Sequence, residues 1–172
     1  MQEAGSAADG KKERLAELAA AWQDTLLKLC YVYLRDREAA RDAVQETFLK
    51  AYWAMDRFRG ECSEKTWLIR IAVNVCRSMR RSAWFRRVDR RITPEEMPLA
   101  AEVRDDEAVD LMAAVLALPK RYREAVTLYY WQDMTVQEIA AALGVAQSTV
   151  SVRLRQAREK LRAALEGGEE NE

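Results

Sequence analysis

The sequence predicts an all-α protein of two small helical bundles joined by a flexible acidic linker, with a helix-turn-helix in the second bundle. Apolar residues recur at helical spacing through most of the 172-residue chain. That periodicity fails over residues 83–103, where Pro94 and Pro98 interrupt and acidic residues begin. Near the C-terminus, two short periodic runs are separated by Gly144, which is typical of a helix-turn-helix.

The first bundle is expected at residues 13–84, after a disordered N-terminus at residues 1–12. A periodic run predicts a helix up to about residue 33, and Asp36 has the character of an N-cap for a second helix. Gly60 follows that helix, and Ser63 can cap a third one ending near residue 81. Its β-branched residues favour strand, but its length without strand-like alternation predicts a helix.

The second bundle is expected at residues 105–165, after a linker at residues 85–104 and before an acidic tail at residues 166–172. Its first helix ends near residue 118, and Pro119 suits the first turn of the next. Thr135 and Glu138 have the spacing of a capping box at the start of the helix-turn-helix.

Charge is balanced but segregated along the chain. Lys and Arg total 28, and so do Asp and Glu. Residues 77–91 carry seven arginines and one aspartate, whereas residues 95–110 carry seven acids and one arginine. This pattern predicts a surface that binds a polyanion, beside a segment that repels or mimics one.

Several function classes are excluded by composition. The N-terminus lacks the apolar region of a signal peptide, and no apolar run approaches membrane-spanning length, so we expect a cytoplasmic protein without membrane insertion. Cys30, Cys62 and Cys76 are odd in number and unclustered, which argues against a disulfide scaffold or zinc site. Without histidine or a phosphate-binding glycine loop, we expect no catalytic residue, metal, cofactor or small-molecule substrate.

The last helix has an outward face suited to DNA. When its apolar stripe is buried, short polar, amide and arginine side chains face outward, and such groups hydrogen-bond base edges. A plain helical hairpin with a solvated basic face would explain the apolar stripe, but not Gly144 together with short residues at the helix start. The outward residues are Ser148, Ser151, Val152, Arg155 and Gln156, with Arg153 and Arg158 on the flanks.

Two faces of the first bundle also suggest binding. The second helix places Leu49 and Trp53 among polar residues, which indicates either a protein-binding surface or a position covered by another helix. The third helix aligns Trp67 with Asn74 and several arginines, a combination that can hold displaced bases and their backbone. A tryptophan at a helix start is also often a core residue, so both interpretations of Trp67 stay open.

Three motifs in order resemble the sigma factors of bacterial RNA polymerase. They are DREAARDAVQETFLKAYWAMDRFRG, TWLIRIAVNVCRSMRR and LPKRYREAVTLYYWQDMTVQEIAAALGVAQSTVSVRLRQAREKL. Their two-module size is similar to that of the extracytoplasmic-function (ECF) subfamily of sigma-70. The resemblance covers about residues 24–165.

The resemblance implies roles for each face. The second helix corresponds to the segment that docks on the clamp helices of the largest polymerase subunit, which implicates Asp42, Gln45, Glu46, Leu49 and Trp53. The loop and third helix correspond to the element that recognises and melts the −10 promoter region, where Asn74 matches a position lining a pocket for a flipped base. The implied −10 residues are Arg59, Cys62, Ser63, Trp67, Arg70, Asn74, Arg77 and Arg81.

The last helix corresponds to the −35 recognition helix. The resemblance also implies contact with the polymerase flap, a linker threaded through the polymerase, and an anti-sigma partner. Many relatives have a basic residue at the position of Ser151 and an arginine at that of Gln156, so the usual −35 preference need not apply. The implied −35 residues are Gln147, Ser148, Ser151, Val152, Arg153, Arg155, Gln156 and Arg158.

Two other classes fit part of the pattern. A DNA-binding regulator with an N-terminal sensor or dimerisation module predicts palindromic half-sites and stable DNA binding without polymerase. A DNA-processing enzyme needs a catalytic constellation that the sequence does not contain. Only the sigma-factor interpretation gives both faces of the first bundle a function.

Overall fold

The computed structural model describes the backbone of residues 2–82 and 106–166, and the side chains of residues 9–82 and 109–166. The described residues form helices and contain no strand, which confirms the predicted all-α class. The chain divides into two compact units, Met1–Arg90 and Arg91–Glu172. The predicted linker at residues 85–104 and the acidic tail after Glu166 lie outside the described residues.

Within its described residues, the first unit contains three α-helices that pack on one another. These are α1 (Gln2–Leu34), α2 (Arg37–Ala54) and α3 (Glu64–Arg81), with a 3-10 turn at Met55–Arg57 after α2. Each large side chain fully buried between them contributes about 1.5–3 kcal/mol of hydrophobic stabilisation. The largest are Leu26, Leu29, Leu34, Leu68, Ile69, Val32 and Val73.

Both N-caps predicted in this unit are confirmed. The Asp36 carboxylate accepts a hydrogen bond from the Ala39 backbone N–H at 2.6 Å, where α2 begins. The Ser63 hydroxyl accepts one from the Thr66 backbone N–H at 3.1 Å, where α3 begins. Each cap satisfies a donor that the helix itself cannot pair, and thereby fixes the first residue of the helix.

The β-branched third segment is helical because its branched side chains are buried. Ile69, Val73 and Val75 all lie in the core between the helices, and burial there outweighs their weak preference for strand. Arg80, near the end of α3, donates a hydrogen bond to the Tyr33 carbonyl at 3.2 Å and so caps the C-terminus of α1. Burial lowers the pKa of the adjacent Arg35, and the positive charge of Arg80 adds to this effect.

The prediction of a disordered N-terminus at residues 1–12 is wrong for the described backbone, because α1 begins at Gln2. The segment is rich in alanine, the best helix former, and it continues into a helix that is anchored in the bundle. Lys11 forms an ion pair with Asp56, and its ammonium lies 5.0 Å from the centre of the Tyr52 ring. These contacts tie the N-terminal part of α1 to the end of α2.

The described part of the second unit is built around its last helix. It contains α4 (Asp106–Ala117), α5 (Lys120–Val126), a wider π-helical turn (Thr127–Trp131), α6 (Val136–Leu143) and α7 (Gln147–Glu166). Helices α4, α5 and α6 all pack against α7. The largest fully buried side chains of this core are Val115, Leu128, Ile139 and Val150.

The helix-turn-helix of α6 and α7 is confirmed in detail. The Thr135 backbone N–H donates to the Glu138 carboxylate at 2.9 Å, and the Glu138 N–H donates to the Thr135 hydroxyl at 3.2 Å, which completes the capping box. Gly144 ends α6 with a φ of 66°, a conformation that glycine adopts without steric cost. The tight turn lets α7 begin two residues after Val145.

Arg123 has a structural role that the sequence did not reveal. It is 5% exposed and donates hydrogen bonds to the carbonyls of Leu116 at 2.9 Å and Leu118 at 3.1 Å. These bonds satisfy carbonyls at the end of α4, so the turn between α4 and α5 is held from inside the core. Pro119 is the N-cap of α5 and not, as predicted, a residue of its first turn.

Candidate nucleic-acid and protein-binding surfaces

The apolar residues on the outer face of α2 are exposed. Leu49 is 51% and Trp53 70% exposed, so no other helix of the described residues covers them. Asp42 and Gln45 are also exposed, and Glu46 is half-buried beside Lys50, with the charged atoms 3.3 Å apart. The face therefore combines two large apolar side chains with polar and acidic neighbours, as protein-binding surfaces do.

Trp53 is held in place although its surface is open. Its ring meets that of Tyr52 edge to face, with the centroids 5.3 Å apart. The Lys11 ammonium packs on Tyr52 in turn. A side chain that is restrained before binding loses less rotamer freedom when a partner covers it. The sequence did not point to Lys11 or Tyr52, because their contact joins distant parts of the chain.

A groove of about 580 Å³ runs along the surface between α2 and α3. Asp42, Glu46 and Lys50 line it from α2, and Asn74 and Ser78 line it from α3. The face predicted to bind the polymerase and the face predicted to bind the −10 strand are thus adjacent on one small bundle.

A cavity of about 420 Å³ lies at the start of α3, beneath the loop after α2. Five of the eight predicted −10 residues line it, so the fold brings together positions that are up to fifteen apart in sequence. Three further lining residues, Arg57, Phe58 and Glu61, come from the loop. Helical periodicity does not extend into a loop, so the sequence did not indicate where their side chains lie. The five predicted residues are Arg59, Cys62, Trp67, Arg70 and Asn74.

Trp67 is half-buried and forms part of the cavity wall. Phe58 from the loop stacks on its ring, so Trp67 is neither a core residue nor an open stacking platform on both sides. Asn74 and Arg70 are exposed on the same side of α3. An aromatic wall with an amide and a guanidinium at its rim can contact both the face and the edge of a nucleobase.

The other predicted −10 residues lie outside this cavity. The Ser63 hydroxyl caps α3 and also donates to the Thr66 hydroxyl at 3.0 Å, so its hydrogen bonds serve the helix. Arg77 is half-buried and Arg81 is exposed, both farther along α3. They extend the basic character of this face beyond the cavity, which suits contact with a phosphate backbone.

The outward face of α7 is largely as predicted from its periodicity. Val150, Leu154 and Ala157 are buried, which turns the opposite side of the helix to the surface. Arg153 and Gln156 are only half-buried, and the Ser151 hydroxyl donates back to the Gln147 carbonyl at 3.2 Å. The exposed members of the predicted set are Gln147, Ser148, Ser151, Val152, Arg155 and Arg158.

Two tyrosines from outside α7 hold residues of this face, and neither was predicted. The Tyr122 hydroxyl donates to Gln156 Oε1 at 2.9 Å, at the edge of a cavity of about 330 Å³. The Tyr130 hydroxyl accepts from Arg158 Nε at 2.6 Å. Both contacts join residues that are about thirty positions apart, so helical periodicity alone gave no signal for them.

The three thiols differ in burial. Cys30 and Cys76 are free and buried, whereas Cys62 is free and half-buried in the wall of the cavity at the start of α3. A hydrogen bond with the Cys30 side chain, together with burial, holds the pKa of the Cys76 thiol well above its usual value. Across residues 9–82 and 109–166, no three His, Cys, Asp or Glu side chains are grouped as a metal site would require. None of the described helices is long and apolar enough to cross a membrane.

Both units are similar in sequence to known protein families. Residues 18–86 match the family described as Sigma-70 region 2, and residues 108–161 match Sigma-70, region 4. The RNA polymerase sigma-H factor of Pseudomonas aeruginosa is 30% identical over 171 residues, covering 91% of this chain and 89% of that protein. The ECF RNA polymerase sigma factor SigW of Bacillus subtilis is 26% identical, covering 91% of each. The ECF RNA polymerase sigma-E factor of Escherichia coli is 31% identical, covering 70% of each.

Two solved structures share the fold. CnrH in complex with the cytosolic domain of CnrY matches with a TM-score of 0.67 and 26% identity, covering 95% of both chains. The sigma factor RpoE in complex with the anti-sigma factor NepR from Bartonella quintana matches with a TM-score of 0.64 and 23% identity, covering 90% of this chain and 96% of that one. The chain therefore belongs to the ECF subfamily of sigma-70 factors, the transcription initiation factors that direct RNA polymerase to promoters.

Proposed function

We propose that the two units divide the work of initiation. Residues 13–84 bind core RNA polymerase and recognise and melt the −10 element, residues 105–165 bind the −35 element, and residues 85–104 link them. The matches to Sigma-70 region 2 and region 4 fall within or close to these bounds and support the division.

The −10 role rests above all on the cavity at the start of α3. It brings Trp67, Arg70 and Asn74 together with Arg59 and Cys62 from the loop. Extruding a base from the duplex costs a few kcal/mol, which contacts in a fitted pocket must offset. In this proposal, Trp67 borders the extruded base and Asn74 hydrogen-bonds its edge. The arginines along α3, including Arg77 and Arg81, hold the backbone of the displaced strand, while Ser63 positions the helix through its cap.

Core polymerase binding is assigned to the outer face of α2. Trp53 and Leu49 supply the apolar contact, and the clamp helices of the largest polymerase subunit are the proposed partner. Exposed aromatic side chains at the centre of an interface commonly contribute most of its affinity. Asp42, Gln45 and Glu46 provide the polar rim, and the second unit contacts the polymerase flap.

The −35 role is assigned to the outward face of α7. In a helix-turn-helix, the second helix lies in the major groove with its first residues toward the base edges. Gln147, Ser148 and Ser151 are exposed in the first turns, and Val152, 42% exposed, is suited to a thymine methyl group. Arg155 and Gln156 then face the bases, whereas Arg153 and Arg158 face phosphates.

The protein acts by binding and not by catalysis, in the cytoplasm, and it needs no cofactor. Contacts to the core enzyme, to two promoter elements and to the displaced strand together supply the free energy that opens the duplex. An anti-sigma factor is proposed as a further partner. CnrH, to which this chain is similar along nearly its whole length, forms a complex with the cytosolic domain of CnrY, and this supports a protein partner for this chain besides the polymerase.

In vitro transcription with purified core polymerase tests the proposal. The full chain is added to core enzyme with a library of promoter fragments, and transcripts are sequenced to find the templates that are used. We expect initiation from templates that share two spaced elements. Failure to bind core enzyme, or to start transcription from any template, would contradict the proposal.

A further inference from the structure

A chain of hydrogen bonds fixes the side chain of Gln156 before any DNA is bound. Arg121 Nη2 donates to the Tyr122 hydroxyl at 2.7 Å, and that hydroxyl donates to Gln156 Oε1 at 2.9 Å. Tyr122 is 4% exposed, so its ring is held by the core between α5 and α7. Gln156 is half-buried at the edge of the cavity that Ser148 and Val152 also line.

The direction of these bonds follows from the capacity of each group. A tyrosine hydroxyl has one proton to donate, whereas a guanidinium can only donate. Because Arg121 donates to the hydroxyl, the Tyr122 proton is directed to another acceptor, and Gln156 Oε1 occupies that position. The opposite amide orientation would point two donors at one oxygen and leave the Tyr122 proton without this acceptor.

Positive charge near Tyr122 reinforces this orientation. The Arg121 guanidinium lies 4.7 Å from the centre of the Tyr122 ring, and the Lys160 ammonium lies 5.8 Å from it. A charged donor polarises the hydroxyl that it contacts and strengthens the next bond in the chain. One lone pair of Gln156 Oε1 is therefore used inside the protein, where it orients the amide, and the amide nitrogen is the group turned to a ligand.

We infer that Gln156 reads the −35 element as a hydrogen-bond donor only and selects guanine, with Tyr122 as its positioning residue. In the major groove, guanine presents two acceptors, N7 and O6, thymine presents one, and adenine and cytosine present amino donors. A freely rotating glutamine pairs with adenine by donating to N7 and accepting from the N6 amino group. Pairing with adenine needs Oε1 and Nε2 turned together toward the base edge. Oε1 keeps a second lone pair, but its bond to the buried Tyr122 hydroxyl holds it on the protein side, so the second of these bonds is lost. The inference rests on the −35 role proposed for α7.

The experiment uses the full chain assembled with core polymerase. A pool of short randomised DNA duplexes first defines the preferred −35 sequence by selection. Each position is then changed to all four bases, and duplex affinities are measured by competition at fixed salt. In Gln156→Ala, discrimination among the four bases is lost at one position of the −35 element, and that position is the one that Gln156 reads. For the wild type we expect guanine to be preferred there over adenine by about tenfold or more.

Two substitutions are expected to alter the base preference at this position in different ways. Gln156→Glu keeps the bond from Tyr122 to one carboxylate oxygen and leaves the other oxygen as an acceptor. The preferred base then changes to cytosine or adenine, which present amino donors. Tyr122→Phe keeps the ring but frees the Gln156 amide, so the preference for guanine over adenine falls to within about threefold while discrimination at other positions stays.

Tyr130→Phe is the matched control, because it removes a hydroxyl bonded to another residue of α7, Arg158. It leaves the base ranking at the Gln156 position unchanged. Thermal denaturation shows whether Tyr122→Phe remains folded, and Gln156→Glu, at a half-exposed site, tests the inference independently. A wild-type preference for adenine, or an unaltered ranking of the four bases in Gln156→Glu, would overturn this inference but not the proposed function. Wild-type holoenzyme that selects no −35 sequence would contradict the proposed function as well.

Discussion

Phe58 stacks on Trp67, with the two ring centroids 4.7 Å apart and the ring planes inclined by 26°. Phe58 belongs to the loop after α2, whereas Trp67 lies in the first turn of α3. The stack therefore holds the loop on the helix and forms one wall of the cavity at the start of α3, which is the −10 cavity of the proposed function. A pocket that exists before binding avoids the entropic cost of ordering it around the extruded base.

Replacing Asn74 tests whether this cavity holds the base. We expect Asn74→Ala to reduce promoter opening about two- to tenfold, because a hydrogen bond contributes about 0.5–1.5 kcal/mol. Core polymerase binding is affected much less, because Asn74 shares the groove with Asp42 and Glu46 but is not itself one of the proposed docking residues. Permanganate footprinting measures the opened region, and a pull-down measures core binding.

Ser78→Ala is the control for this substitution. Ser78 is exposed one turn farther along α3 and lines the groove beside α2, but not the −10 cavity. Promoter opening by Ser78→Ala remains close to that of the wild type. An equal loss of core binding and promoter opening in Asn74→Ala would refute the assigned role.

Exposed leucines of the two units offer a matched test of the polymerase-binding face. Leu49 is 51% exposed on α2, and Leu111 is 42% exposed on α4. We expect Leu49→Ala to weaken binding to the clamp helices of the largest subunit, and Leu111→Ala, in the unit assigned to the flap, to leave that contact unchanged. Trp53→Ala has the larger effect, about 2 kcal/mol or more, as interface aromatic residues commonly do.

Stability separates an interface effect from a folding effect in these variants. Because all three side chains are exposed, the free energy of unfolding changes by only about 0.5 kcal/mol in each. Core affinity is measured by titrating labelled protein with core enzyme, and stability by urea unfolding. Equal core affinity of Leu49→Ala, Trp53→Ala and the wild type would remove α2 from the interface.

Two arginines of α7 are predicted to act differently on promoter DNA. Arg155 is exposed on the outward face, whereas Arg158 is bonded to the Tyr130 hydroxyl at 2.6 Å and lies at the flank. Arg155→Ala is expected to relax base preference at one −35 position, with a loss of about 1–3 kcal/mol. Arg158→Ala weakens all sequences about equally and reduces the salt dependence of binding by about one unit of slope. Unchanged promoter affinity of Arg155→Ala at matched salt would exclude it from the contact set.

Local patterns in the sequence were sufficient for much of the fold. The caps at Asp36 and Ser63, the box of Thr135 with Glu138, and the turn at Gly144 each depend on residues within a few positions of one another. Such features can be predicted from the local sequence, because the backbone geometry of a single turn determines them. The helical fold of α3 also followed from its length, although its residue preferences favoured strand.

Features that depend on distant contacts were missed. The helical N-terminus is tied to the bundle by Lys11, whose partners lie more than forty positions away. Tyr122 bonds to Gln156 across about thirty positions. Helical periodicity could show only that Gln156 faces outward. Periodicity defines the side of a helix that is buried, but not which side chain from another helix bonds to the opposite side.

The buried thiol pair of the first unit gives a dependence of stability on pH. Hydrogen bonding with Cys30 and burial raise the pKa of Cys76 well above that of the unfolded thiol. Between the two pKa values, the folded state binds the proton and the unfolded state does not, so increasing pH favours unfolding. Stability from this group is thus constant below about pH 8.5 and falls above it by up to about 1.4 kcal/mol per pH unit.

Urea unfolding at increasing pH tests this dependence by comparing the wild type with Cys76→Ala. The variant is less stable at neutral pH because it loses buried volume, but its alkaline decline is shallower than that of the wild type. Cys62→Ala, which removes a half-buried thiol in the loop before α3, is the control for loss of a thiol outside the buried pair. The difference in slope between the variants isolates Cys76 from other groups that titrate at high pH. Parallel curves for the wild type and Cys76→Ala would show that this thiol does not link protonation to folding.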